Sequence, residues 1–116
     1  MKTNKIIFYV ATGLLSALML FSASMYFLKN ADVVVEFTKL GFPAWIIYPL
    51  GVAKLLGVTT LWFIKNPSLK EWAYAGFFFN IVLAAAAHLS VNDGEHMGAI
   101  VALVFLTTSY TFYKKQ

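Results

Sequence analysis

Two long apolar runs joined by a short polar turn constrain this chain more than any other feature. Residues 45–64 read WIIYPLGVAKLLGVTTLWFI, residues 71–91 read EWAYAGFFFNIVLAAAAHLSV, and KNPSLK lies between them. A helix rises about 1.5 Å per residue, so about 20 residues cross the hydrocarbon core of a bilayer. Each arm is long enough to span, and the turn has room only for a helix break. The hairpin also holds the most deeply placed polar residues of the chain: Lys54, Asn80 and His88. An ammonium at mid-span costs about 2.5–3.5 kcal/mol on insertion scales, which makes Lys54 the first place to look for function.

Two more apolar runs flank the hairpin, IIFYVATGLLSALMLFSASMYFL at 6–28 and MGAIVALVFLTTSYTFY at 97–113. Of the 116 residues, 60% are hydrophobic and 12% charged. So little charge cannot cover the surface of a soluble domain. The net charge of +4 comes from lysines beside the apolar runs, and the chain has no Arg. Bidentate contacts to phosphates and bases therefore have no donor, and nucleic acid is not an expected partner. The absence of Cys excludes disulfides, CxxC redox chemistry, thiolate metal sites and iron–sulfur clusters.

Taken in order, the first run carries Ser22-Ala23-Ser24, which resembles a signal-peptide cleavage site. The run continues to Leu28, beyond a signal core of about 7–15 residues, so a retained first transmembrane helix is expected, with cleavage as the alternative. Gly13, Ser16 and Ala17 offer small surfaces for a neighbouring helix. In residues 29–43, Asp32 can cap a helix starting at Val33, and Gly41 and Pro43 can stop it. The expectation is a short amphipathic helix at the membrane surface, against an ordered loop without lipid contact. Pro49 predicts a kink or local opening in the second span. Gly51 and Gly57 permit close packing on either side of Lys54. Asn66-Pro67-Ser68 breaks the helix, and Ser68 with Glu71 reads as a capping box opening the third span. Trp72 and Tyr74 suit an interfacial belt. Asn92-Asp93-Gly94-Glu95-His96 reads as a tight polar turn. No soluble domain, long linker or repeat interrupts this pattern, so one domain over 1–116 is expected.

The lysines set the topology. With the N-terminus inside, Lys2, Lys5, Lys65, Lys70, Lys114 and Lys115 all fall inside, and only Lys29 and Lys39 fall outside. The positive-inside rule then places both termini in the cytoplasm, with the protein in the inner membrane. Four spans with short loops predict an all-α fold, an up-down-up-down bundle with a short amphipathic surface helix between the first and second spans.

Three stretches carry a resemblance: LGVAKLLGV at 50–58, PSLKEWAYAGFFFN at 67–80, and AAAAHLSVNDG at 84–94. With Gly41-Phe42-Pro43 at the entry of the second span, their order and spacing resemble the DoxX-like family of small four-helix integral membrane proteins. The resemblance implies three things. The family name comes from a subunit associated with a thiosulfate:quinone oxidoreductase. Other relatives look like membrane chaperones for receptor assembly. The family supplies no settled catalytic set, so no catalytic residue or cofactor is carried over.

The polar residues then rest on their own physics. Lys54 lies about ten residues from either end of its span, about 15 Å from each surface, too far to snorkel easily. It reads as a pocket cation for an anionic or carbonyl-bearing lipophilic ligand, or as a proton-carrying lysine. Alternatively, helix carbonyls at the Pro49 kink, Asn80 or Glu36 satisfy it. Asn80 falls near the same depth and reads first as an interhelical hydrogen bond. His88 lies toward the outer face as a ligand contact, proton acceptor or hydrogen-bonded imidazole. His88, His96, Asp93 and Glu95 have no metal-ligand spacing. Phe77-Phe78-Phe79 points around all sides of a helix and reads as core and lipid contact. No nucleophile elbow, zinc-binding HExxH, P-loop or dinucleotide fingerprint is present.

Three functions fit. The first is binding of a small lipophilic or quinone-like ligand around Lys54, Asn80 and His88, as a redox-associated subunit. The second is an assembly factor or accessory subunit acting on a partner membrane protein through helix contacts. The third is a small transporter or proton pathway, which four helices accommodate only as an oligomer such as a homodimer.

Overall fold

The computed structural model describes residues 2–91, 94 and 96–115. Most of the polar turn expected at 92–96 falls outside them. The described elements are all helical: α1 (Lys2–Leu28), α2 (Asn30–Leu40), one 3-10 turn (Ala44–Ile46), α3 (Ile47–Phe63), α4 (Pro67–Val91) and α5 (His96–Lys114). Four of them are long and apolar enough to cross a membrane: α1, α3 with its 3-10 turn, α4 and α5. Large apolar side chains remain on their outsides, with Leu28, Phe63 and Trp72 each at least 78% exposed. Water would penalise that surface, whereas lipid matches it.

The four long helices form a ring in which α1 packs on α3 and α5, and α4 packs on the same two. Contacts run in opposite chain directions. Ser16 and Ser22 of α1 meet Trp62 and Lys54 of α3. Phe8 and Thr12 meet Tyr113 and Ser109 of α5. The main core collects Leu15, Met19, Leu61, Phe77, Ile81 and Leu106. At its centre the Phe77 ring lies over Gly57, where an added Cβ would fall 2.4 Å from the ring. Gly51 makes a similar approach to Phe27, at 2.9 Å. The two glycines flanking Lys54 thus let aromatic rings of α4 and α1 close on α3. Of the three small residues expected to meet a neighbouring helix, Ser16 is buried and receives Trp62 of α3, whereas Ala17 is exposed and nothing lies within 4 Å of a Cβ placed at Gly13.

Three local expectations are corrected. First, α2 begins at Asn30, so Asp32 lies in its first turn rather than at its cap. Only Lys29 separates α1 from α2, and the Asn30 side-chain amide donates back to the Tyr26 carbonyl at 3.2 Å. Asp32 still favours the helix start through the macrodipole. The end is as expected: Gly41 adopts φ 86°, and the amides of Gly41 and Phe42 close on the carbonyls of Thr38 and Phe37. Val33 and Phe37 are buried against Ile47, so α2 docks on the bundle through one face and leaves the other exposed.

Second, Pro49 causes no break within a helix. The α-helix starts only at Ile47, which puts Pro49 in the first turn, where its missing N–H costs nothing. The irregularity sits earlier, in the 3-10 turn. Third, Asn66 rather than Ser68 caps α4. Its Oδ1 accepts the amides of Ser68 and Leu69 at 2.9 and 3.2 Å, and Pro67 fills the first helical position. Glu71 is freed from the cap. It accepts instead from Tyr110 at 2.9 Å and Lys114 at 3.1 Å, tying α4 to α5.

Candidate functional site

A cavity of about 770 Å³ opens between the four long helices on the side where α2 docks. Residue size explains the space. Gly76 and Ala84 of α4 and Gly98, Ala99 and Ala102 of α5 face it. Nothing lies within 4 Å of a Cβ placed at Gly76 or Gly98. Aromatic side chains complete the wall, among them Tyr26, Phe37, Phe42, Trp45 and Phe79. Such a wall suits an apolar molecule of moderate size.

Lys54, Asn80 and His88 all line this one cavity. The register of α3 and α4 explains why the first two meet there. Gly57 touches Phe77, and the helices run antiparallel. Three residues further along each helix come Lys54 and Asn80, at one depth. His88 follows two turns beyond Asn80, on the side of Trp45 and Ile46.

Lys54 is only 6% exposed. Its Nζ donates to Ser22 Oγ at 2.6 Å and to Tyr26 Oη at 2.9 Å, and lies 4.2 Å from the centre of the Tyr26 ring. The expected partners are not the ones used. Its hydrogen bonds go neither to a carbonyl near Pro49 nor to Asn80, and Glu36 pairs with Lys39 on the exposed face of α2. Both actual partners come from α1, one helical turn apart. Among the described residues no carboxylate lies within ion-pair distance of Lys54. The ammonium is therefore held by neutral hydroxyls and a ring face.

Asn80 is half-buried, and no hydrogen bond joins its side-chain amide to another described residue. The expected interhelical bond is absent, and the amide borders the cavity instead. Bundle-holding polar contacts occur elsewhere. Ser109 Oγ contacts Thr12 Oγ1 at 2.5 Å and Tyr74 Oη at 2.8 Å, all three buried, and Trp62 Nε1 donates to Ser16 Oγ at 2.8 Å. Tyr74 thus sits inside the bundle, not in an interfacial belt, whereas Trp72 stays exposed. Phe77 is core, while Phe78 and Phe79 are exposed, and Phe79 also borders the cavity. No cluster of three metal-ligating side chains occurs among the described residues.

Ser22 and Tyr26 are the site residues that sequence reasoning missed. The available signal was a pair of hydroxyls four apart in an apolar run, on a face shared with Thr12 and Ser16 only in part. It was masked because Ser22 also fits a cleavage-site pattern.

Neither a curated protein nor a solved structure matches the chain. Residues 10–110 match the sequence pattern of the DoxX-like family, which covers all four long helices, α2 and every cavity residue named above. With four apolar helices and this match over most of its length, the chain belongs to the DoxX-like family of membrane proteins.

Proposed function

We propose that this protein binds one small lipophilic ligand carrying acceptor oxygens, of which a quinone-like carbonyl is one form, in the cavity around Lys54. The observation that carries the reading is the pairing of an apolar space of about 770 Å³ with a buried ammonium that has no carboxylate within ion-pair distance among the described residues. An ammonium kept in an apolar span at this cost is expected to meet something there. Asn80 and His88 contribute polar contacts along the same wall. The protein lies in the cytoplasmic membrane with both termini inside, which fits its lysines, and a redox-associated subunit is one setting for such a site.

Native mass spectrometry with lipid extraction, on protein purified in mild detergent, tests this. A small molecule bound to wild type and absent from a folded Lys54→Met variant is the expected result. An empty bundle in both proteins overturns it. A co-purified membrane protein in place of a ligand transfers the weight to an accessory or assembly role.

A further inference from the structure

Around Lys54 the cavity wall carries more hydrogen-bond donors than free side-chain acceptors among the described residues. Lys54 carries three N–H groups and uses two, on Ser22 and Tyr26. In accepting those bonds, the two hydroxyls keep their own protons to donate, and each has no other hydrogen-bond partner among the described residues. The Asn80 amide adds two more N–H groups on the same wall, and no hydrogen bond joins it to another described residue. Against these donors the same wall segment offers one strong free acceptor, Asn80 Oδ1. All four side chains border the cavity. The imbalance is one of charge as well as of hydrogen bonds. Of the described acids, Glu36 pairs with Lys39, Glu71 pairs with Lys114, and Asp32 lies in the first turn of α2.

A neutral carbonyl would satisfy one or two donors and leave the positive charge unbalanced in an apolar medium. A monoanion would satisfy both counts, because charge-assisted bonds are the stronger ones, and its attraction together with hydrogen bonds from several donors offsets the cost of burying both charges. The rest of the wall is aromatic and aliphatic, with Trp45, Phe42 and Phe37 toward the α2 end. We infer that the ligand is an amphiphile with a single anionic head, of the long-chain carboxylate class, whose head meets Lys54, Ser22, Tyr26 and Asn80 and whose tail lies along the aromatic wall. This inference rests on the proposed ligand-binding function and narrows its chemistry. Ser22 and Tyr26 become positioning residues for Lys54 as well as donors to the head.

The test uses the full chain in nanodiscs of zwitterionic lipid, titrated with three probes: a long-chain fatty acid, its methyl ester, and a short-tailed benzoquinone. Native mass spectrometry reads the bound mass. Wild type is expected to take one fatty acid, to prefer it over the ester by about tenfold or more, and to lose that preference in Lys54→Met. Lys54→Arg, which keeps the charge, is expected to retain the preference, and its failure to do so in a folded protein would count against a charge-based site. Equal binding of the acid and the ester, or preferential binding of the quinone, overturns the anionic assignment and leaves the ligand-binding function standing. No saturable binding of any probe overturns both. If Lys54→Met does not fold, Asn80→Leu and Tyr26→Phe provide the weakened sites, and unchanged acid binding in both overturns the inference.

Discussion

The two halves of this bundle handle polar groups in opposite ways. Toward the chain termini, polar side chains are paired with one another: Thr12 and Tyr74 with Ser109, Trp62 with Ser16, and Glu71 with Tyr110 and Lys114. Apolar packing there is close, with Phe77 pressed on Gly57 and Leu61 and Leu106 buried. Toward α2, small residues leave a cavity, and around Lys54 its wall carries more hydrogen-bond donors than free side-chain acceptors among the described residues. Where hydroxyls and amides balance inside the protein, they explain themselves as structure. Where they do not balance, they motivate the proposed ligand. The same residue types thus carry different information in the two halves.

The largest expected effect falls in the packed half. Gly57→Val pushes two methyl groups into the Phe77 ring, and overpacking of this kind costs about 1–3 kcal/mol, read as a lower unfolding midpoint in detergent. A midpoint equal to wild type would mean that Phe77 has somewhere else to go. Ser109→Ala comes next, at about 1–2 kcal/mol, because it strands the hydroxyls of Thr12 and Tyr74 at once. Its effect should shrink when combined with Tyr74→Phe, and simple additivity in a double-mutant cycle would show that the three groups are not one network.

The cavity half should respond the other way. Lys54→Met removes a buried ammonium and two hydrogen bonds together, and the relief of a charge held in an apolar span offsets the loss of bonds to two hydroxyls that can turn to the cavity. The thermal midpoint is expected to hold or rise while ligand binding disappears. A fall larger than that of Ser109→Ala would make Lys54 a structural residue and erase the contrast between the halves. The smallest effect is expected for Glu71→Gln, whose partners Lys114 and Tyr110 sit at an open end of the bundle, with side chains 57% and 39% exposed on Lys114 and Glu71. Such pairs gain little against water, and a midpoint indistinguishable from wild type is the expected reading.

The sequence revealed most of the scaffold, because long apolar runs, Pro67 and Gly41 act locally. The four spans, the intervening α2 and the close approach at Gly51 and Gly57 need no knowledge of neighbours. The choice between Asn66 and Ser68 as cap did not follow. Both residue types suit the position, and only the location of Pro67 in the first turn decides for Asn66. The depth match of Lys54 and Asn80 was legible by counting along the hairpin. The partners of Lys54 were not, since they lie on α1, and the rotation of one helix about another is set by packing across the whole ring. Asn80 was misjudged for the same reason: an amide in an apolar span invites a partner, and the helix rotation that turns it to the cavity wall, unbonded to any described residue, is set by the packed ring.

The placement of Ser22 and Tyr26 on the first helix also bears on how the chain is made. Both acceptors of the Lys54 ammonium precede it in the sequence by about thirty residues. They are therefore synthesised, and their helix is complete, before the charged segment leaves the ribosome. A charged span that enters the bilayer then finds its hydroxyls already waiting, and the order of translation eases the one step of assembly that the apolar core opposes most.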